Sequence, residues 1–179
     1  MNKEGKRLAV PEEAEKASFQ QFLNEYRKQL AKGDIKEAYR GLMGYLEDLR
    51  LQLGKKYPDY FVSGSVHYGF MDYSYFYFFP KSLKQRKLKI VVLFVHDAFR
   101  FEVWLAGYNK RVQAKYWKLL KENNYNKYPM PANTTKADSI MEYVLVDNAD
   151  FSDLETLTKQ IEQRTRCFIE DVEGFLTKH

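Results

Sequence analysis

Near Tyr57 the spacing of apolar side chains switches from the 3.6-residue period of a helix to the two-residue period of a strand. The strand period then persists to about Gly107, through four successive segments: Tyr60–His67, Met71–Phe79, Leu88–His96 and Phe99–Ala106. A run of strands bounded by helices specifies an α+β domain rather than a doubly wound parallel sheet. The full reading is ααββββαβα. It comprises two N-terminal helices, a four-stranded mainly antiparallel sheet, a helix, a short fifth strand and a long C-terminal helix. Residues 1–11 are expected as a flexible lead-in and residues 12–179 as one α+β domain, a length that buries a core without staples.

The strands differ in what they ask of the sheet. On the second, Met71, Tyr73, Tyr75, Tyr77 and Phe79 share one face, while Asp72, Ser74, Phe76 and Phe78 share the other. Both faces are partly apolar, which predicts an inner strand. Leu88–His96 is β-branched and apolar on both faces, which predicts the central strand. The fourth strand, reached through a two-residue Asp97-Ala98 connection, points Phe99, Phe101, Val103 and Leu105 one way and Arg100, Glu102 and Trp104 the other. That alternation predicts one buried and one wetter face. Ser63-Gly64-Ser65 reads as a bulge in the first strand and Lys81–Lys87 as a basic loop after Pro80. Ile140–Val146 suits a short strand, with a helical reading also open.

The first helix carries Phe19, Phe22 or Leu23, Tyr26 and Leu30 on one stripe and ends at Gly33. Asp34 and Glu37 have the form of a capping box for the second, whose Ile35, Ala38, Tyr39, Leu42, Leu46, Leu49 and Leu53 recur at helical spacing up to Gly54. Two such stripes joined by a short link predict an antiparallel helix pair. Asn109 suits the N-cap of a third helix, with Val112, Tyr116, Leu119 and Leu120 inside and Arg111, Lys115, Lys118 and Lys121 outside. After a loop over Asn123–Lys136, Ser152 and Glu155 form a second capping box. It opens a last helix with Leu154, Leu157, Ile161, Phe168, Val172 and Phe175 as its stripe.

The chain holds 14 Tyr and 13 Phe, and a Tyr-rich sheet can face either a core or a partner because each ring ends in a polar tip. The single cysteine, Cys167, excludes an internal disulfide and suits a reducing, cytoplasmic compartment. Beside Phe168 it reads as a buried, inert thiol. The charged N-terminus lacks the apolar core of a signal peptide, and the run Ile90–Val95 is too short to cross a bilayer, so no membrane partner is expected. Residues 81–136 hold 13 basic and 3 acidic side chains, whereas residues 137–179 hold 4 basic and 10 acidic. Such a block attracts nucleic acid or an acidic protein unless the acidic C-terminal segment packs near it and neutralises its field.

Standard catalytic and phosphate-binding motifs are absent, and no cofactor is implied. His67 and His96 lack a local metal-ligand spacing, and a satisfied sheet-end imidazole is the plainer reading. Asp72 and Glu102, on strands beside a helix pair that carries Glu47, are the weak catalytic candidates. A metal-dependent phosphodiesterase pairs an Asp on one strand with an acid-x-lysine signature on the next. Here Glu102-Val103-Trp104 has tryptophan at the lysine position. The richest string runs from Arg100 to Lys110. A guanidinium, a carboxylate and an indole lie in a row before a capped helix, which suits an anion or a flat ring. Its bland counterpart is an Arg100–Glu102 salt bridge with Trp104 packed under the third helix.

Phe101–Trp117, with Lys56-Tyr57-Pro58-Asp59-Tyr60 and Gly69-Phe70-Met71-Asp72, resembles a family of uncharacterised bacterial proteins from about Phe19 to the last helix. The resemblance implies a bacterial cytoplasmic protein and carries no activity. A weaker similarity, limited to the fourth strand and third helix, is to nuclease-like accessory domains. The expectation is a non-enzymatic binding domain for an anionic partner, using Arg100, Glu102, Trp104, Asn109, Lys110, Arg111, Lys115 and Lys118. The alternatives are a metal-dependent phosphodiesterase or its remnant, and a small-ligand pocket lined by Tyr73, Tyr75 and Trp104.

Overall fold

Strand pairing is centred on the segment whose two faces are both apolar, Leu88–Val95. In the computed structural model, which describes residues 13–69, 71–134 and 137–179, six strands form one antiparallel sheet. These are β1 (Tyr60–Val62), β2 (His67–Tyr68), β3 (Tyr73–Pro80), β4 (Leu88–Val95), β5 (Arg100–Gly107) and β6 (Met141–Val146). Their spatial order is β1-β3-β4-β5-β6, with β2 also pairing to β3. The helices are α1 (Glu13–Lys32), α2 (Asp34–Lys56), α3 (Lys81–Gln85), α4 (Lys110–Glu122) and α5 (Leu154–Lys178). The α+β class, the central strand and the long last helix are as the sequence predicts. The lead-in over residues 1–11 lies outside the described residues.

The chain divides into two compact units between Leu42 and Met43. In the first, the expected pairing of apolar stripes does not form: Phe19, Phe22, Leu23 and Tyr26 on α1 are all exposed, as is Ile35 on α2. The link between the helices is Gly33 alone, at φ +91°. Packed helices sit about 8–10 Å apart, and one residue reaches at most about 3.6 Å. Within this unit, a one-residue link therefore cannot fold α1 back along the Asp34–Leu42 part of α2.

In the second unit, burial on α2 covers Met43, Tyr45, Leu46, Leu49, Arg50 and Leu53, and the helix runs on to Lys56, past the expected stop at Gly54. These residues and the α5 stripe of Leu157, Ile161, Phe168, Ile169, Val172 and Leu176 cover one face of the sheet. That face presents Phe76, Phe78, Ile90, Val92, Phe94, Phe101, Val103 and Leu105, all fully buried or nearly so. Tyr45 meets Phe101 edge-on at 5.9 Å and donates or accepts a hydrogen bond with Thr158 of α5 at 3.0 Å. Phe94 and Phe101, at 5.0 Å, anchor the ring cluster that Phe151 completes.

Several expectations need local correction. The first strand splits in two at Ser63, where only half of the ladder pair forms: its N–H donates to the Tyr77 carbonyl at 3.1 Å, but the return bond from Tyr77 N–H goes to Ser63 Oγ at 3.2 Å, and that hydroxyl donates to the Ser65 carbonyl at 3.0 Å. Arg50 donates to the Ser63 carbonyl at 2.8 Å, and Glu47 accepts from Val66 N–H at 3.2 Å while pairing with Arg50, so α2 holds the break. Lys81–Gln85 is a short helix rather than a loop, seated by buried Leu83. The β4–β5 connection spans His96–Phe99, with Phe99 at φ 50°, so the fourth strand starts at Arg100. Asp153 rather than Ser152 caps α5, accepting from Thr156 N–H at 3.0 Å. Cys167 is exposed rather than buried, one residue and about 100° around the helix from buried Phe168.

Hydrogen bonding from Arg50 holds the Glu47 carboxyl below its ordinary range against the opposing pull of burial. A depressed carboxylate stabilises the fold above its unfolded pKa, and that stabilisation fades as pH falls through the folded value. Glu47→Gln should therefore cost about 1 kcal/mol near neutrality, a figure discounted for its partial exposure. In urea unfolding, the gap between the two proteins should close as the buffer is taken toward pH 3. In the core, Phe94→Ala should cost about 3–5 kcal/mol in the same assay.

Candidate ligand-binding cleft

Strand register decides what shares the opposite face. Tyr75 sits across from Leu93 and Tyr77 across from Val91, while Val91 pairs with Trp104 and Lys89 with Ala106. Alternation therefore aligns the β3 tyrosines, Lys89 and Val91 of β4, and Arg100, Glu102, Trp104 and Ala106 of β5 on one surface. Val91, Leu93 and Ala106 form its buried floor, with Tyr73, Tyr75, Tyr77 and Trp104 half-buried around them. The result is a cleft of about 340 Å³.

The rings form a continuous run. Tyr73 meets Trp104 edge-on at 5.5 Å, Tyr73 and Tyr75 are 5.9 Å apart, and Tyr75 and Tyr77 are 5.5 Å apart. His67 of β2 stacks on Tyr75 at 4.9 Å. Lys89 lies half-buried among them, its Nζ donating to Tyr77 Oη at 3.1 Å and sitting 4.6 Å from the Tyr77 ring centre. Burial pushes the Lys89 pKa down, opposed by the nearby Tyr75 and Asp138. Among the described residues no carboxylate lies within ion-pair distance of it.

The end of the cleft is built by a close approach. A Cβ on Gly107 would lie 2.5 Å from Gln113 N, so only glycine lets α4 start this tightly against β5. Asn109 caps α4 by accepting from Val112 N–H at 2.9 Å, as its sequence position predicts. Gln113, nearly fully buried, accepts weakly from Gly107 N–H at 3.4 Å and donates to the Ala137 carbonyl at 2.7 Å. Lys110 donates to that same carbonyl at 2.5 Å and lies 3.5 Å from Asp138. The wall formed by residues 137–138 is thereby tied to the helix N-terminus.

Of the residues singled out by sequence, Tyr73, Tyr75, Trp104, Asn109 and Lys110 line this cleft. Arg100 and Glu102 are bound to each other, with Arg100 Nε and Nη2 each 2.6 Å from Glu102 Oε1. Trp104 Nε1 donates to Glu102 Oε2 at 2.6 Å, and the Glu102 residue is only 4% exposed, so both its oxygens are occupied structurally. Trp104 itself packs against Tyr73 on the sheet rather than under α4. Arg111, Lys115 and Lys118 are exposed on α4 outside the cleft, with Lys115 over the Tyr116 ring and Lys118 3.5 Å from Glu122. The acidic C-terminal segment reaches two central cations, through Lys110–Asp138 and Lys127–Asp171.

The structure does not bring Asp72 and Glu102 together. Asp72 lies in the turn before β3 and accepts from Tyr73 N–H at 2.7 Å. Register separates the two acids by about 10 Å along the strands and about 10 Å across them. His67 stacks on the tyrosine face, whereas His96 Nε2 is 3.0 Å from Ser74 Oγ, among residues of the helix-covered face. No group of three or more His, Cys, Asp or Glu is placed to hold a metal ion among the described residues. Nor is any helix there long and apolar enough to cross a membrane. Sequence reading passed over Lys89, Gln113 and Asp138. The parity of Lys89 with Val91 places it on the tyrosine face, but five basic residues between Lys81 and Lys89 make it look like one more surface charge.

An antiparallel α+β protein with one helix-covered face and an aromatic cleft on the other is the class these observations define. The chain belongs to the family described as Domain of unknown function (DUF7000), whose model matches residues 19–176. No curated protein and no solved structure matches it, so the partial likeness to nuclease-like accessory domains finds no relative in its support.

Arg100→Met leaves the buried Glu102 carboxylate with an indole as its remaining partner, and should destabilise the protein by about 2 kcal/mol. Chemical denaturation of the variant checks this. An unchanged midpoint would mean that the pair is not part of the scaffold.

Proposed function

We propose that this protein is a non-enzymatic binding domain that takes an anionic partner, single-stranded nucleic acid, across its tyrosine face and the adjoining basic helix α4. The observation that carries the reading is the half-open run Tyr73, Tyr75, Tyr77 and Trp104 with the cations Lys89 and Lys110 set into it. Aromatic side chains on a sheet accept bases by stacking whatever their identity, and flanking cations track the backbone. Arg111 and Lys115, exposed just beyond the cleft, extend the positive surface. The separation of Asp72 from Glu102, with both oxygens of Glu102 engaged, favours binding over hydrolysis. A reducing, cytoplasmic setting suits the lone and exposed Cys167.

The test is fluorescence anisotropy with a labelled deoxythymidine oligonucleotide over a series of salt concentrations. Charge reversal at Lys115 and Lys118 together should weaken binding about tenfold or more at low salt. It should also flatten the salt dependence by roughly one unit of slope, as expected for the loss of one or two phosphate contacts. Absence of binding to any oligonucleotide by the unaltered protein overturns the reading.

A further inference from the structure

Among the described residues lining the cleft, Lys89 is half-buried without an ionic partner. Buried cations are ordinarily paired, because removing a charge from water without a partner is costly. Arg100 on the same face illustrates the rule, held by Glu102. Lys89 is half-buried on the central strand, yet its only hydrogen bond in the described structure goes to the Tyr77 phenol, which supplies no charge. An ammonium has three donors, so two remain for an anion entering from the cleft.

The surrounding shape narrows what that anion belongs to. The floor beside Lys89 is made of Val91, Ala106 and the backbone of Gly107, which leave a depression between Tyr77 on one side and Trp104 on the other. A volume of about 340 Å³ stands at the lower end of the ~300–1,000 Å³ usual for small-molecule sites. A space of that size suits one planar ring with an attached acid group at a time. Asp138, also lining the cleft, supplies an acceptor for a ring amine or a sugar hydroxyl.

We infer that this cleft is a subsite for a single nucleotide unit, with its phosphate on Lys89 and its base against the rings of Tyr75 and Trp104. The inference deepens the nucleic-acid reading and rests on it. It adds that one nucleotide of the strand sits within the ring-lined cleft itself, and that Lys89, not the lysines of α4, is its anchor. The same chemistry is offered by a free nucleoside monophosphate and by one residue of a strand.

Calorimetric titrations of the full chain with adenosine monophosphate, adenosine and a deoxyadenosine oligonucleotide separate these possibilities, with Trp104→Phe reporting which indole responds in parallel fluorescence runs. The monophosphate should bind about tenfold or more tightly than the neutral nucleoside. Lys89→Met, which keeps most of the aliphatic stem, should erase that difference and weaken the oligonucleotide, while Lys89→Arg should retain both. If the monophosphate and nucleoside bind alike, or Lys89→Met matches the unaltered protein while the oligonucleotide still binds, the subsite is overturned and the broader reading survives. If the monophosphate binds through Lys89 but the oligonucleotide does not, the subsite stands as a small-molecule site and the strand partner falls. If neither binds, both fall.

Discussion

The β4 strand, with apolar side chains on both of its faces, sets the conditions under which the rest of the second unit can exist. One face of such a strand can be buried under helices, and here α2 and α5 supply the cover with Leu46, Leu49, Ile161 and Phe168. The other face carries Val91 and Leu93, which also need removing from water, and among the described residues the hydrophobics packed against them come from strands rather than from a helix. Half-buried Tyr73, Tyr75, Tyr77 and Trp104 do that instead. Tyrosine can cover an apolar floor with its ring while leaving its hydroxyl wet, so this face is sealed below and open above. The cleft is a consequence of using amphipathic rings where a second helical layer would otherwise be required.

Charge on this face follows two different rules. Glu102 is accessible to almost no water, and its oxygens are divided between a guanidinium and an indole, an arrangement that satisfies a buried carboxylate in place. Lys89 is also partly removed from water, but its partner is neutral. The first arrangement is complete without a ligand, and the second is not. Their positions explain the difference: Glu102 has Arg100 and Trp104 two residues away on its own strand, whereas Lys89 shares its face with Val91 and looks across to Ala106. The proposed binding role therefore falls to the cation whose electrostatic needs the fold leaves open, and the scaffold role to the pair whose needs it meets.

Much of this architecture is legible in the chain because it depends on local periodicity. The alternation in Arg100–Ala106 and the uninterrupted apolar run of Leu88–Val95 give their strand identities and relative burial directly, and Asn109 signals the start of α4 through a bond only three residues long. What misled was short-range chemistry with a long-range partner. Ser63 looked like a simple bulge, yet the break there is set by Arg50, thirteen positions earlier on a helix. Leu83 is apolar and isolated among lysines, and nothing within that stretch reveals that it is fully buried and seats a helix. The stripe on α1 has helical spacing, but such spacing reports a capacity to pack and not the presence of a surface within reach.

By itself, then, the amino-acid sequence determined the element types, the α+β class and the two-faced character of each strand, since these follow from side-chain spacing along a few residues of backbone. The tertiary structure decided which faces meet. It aligned Lys89 with three tyrosines and a tryptophan from other strands, bound Arg100 to Glu102 and brought Ala137–Asp138 against the first turn of α4. Register between strands and the docking of a loop depend on the summed packing of residues far apart in the chain, and no local pattern encodes that sum.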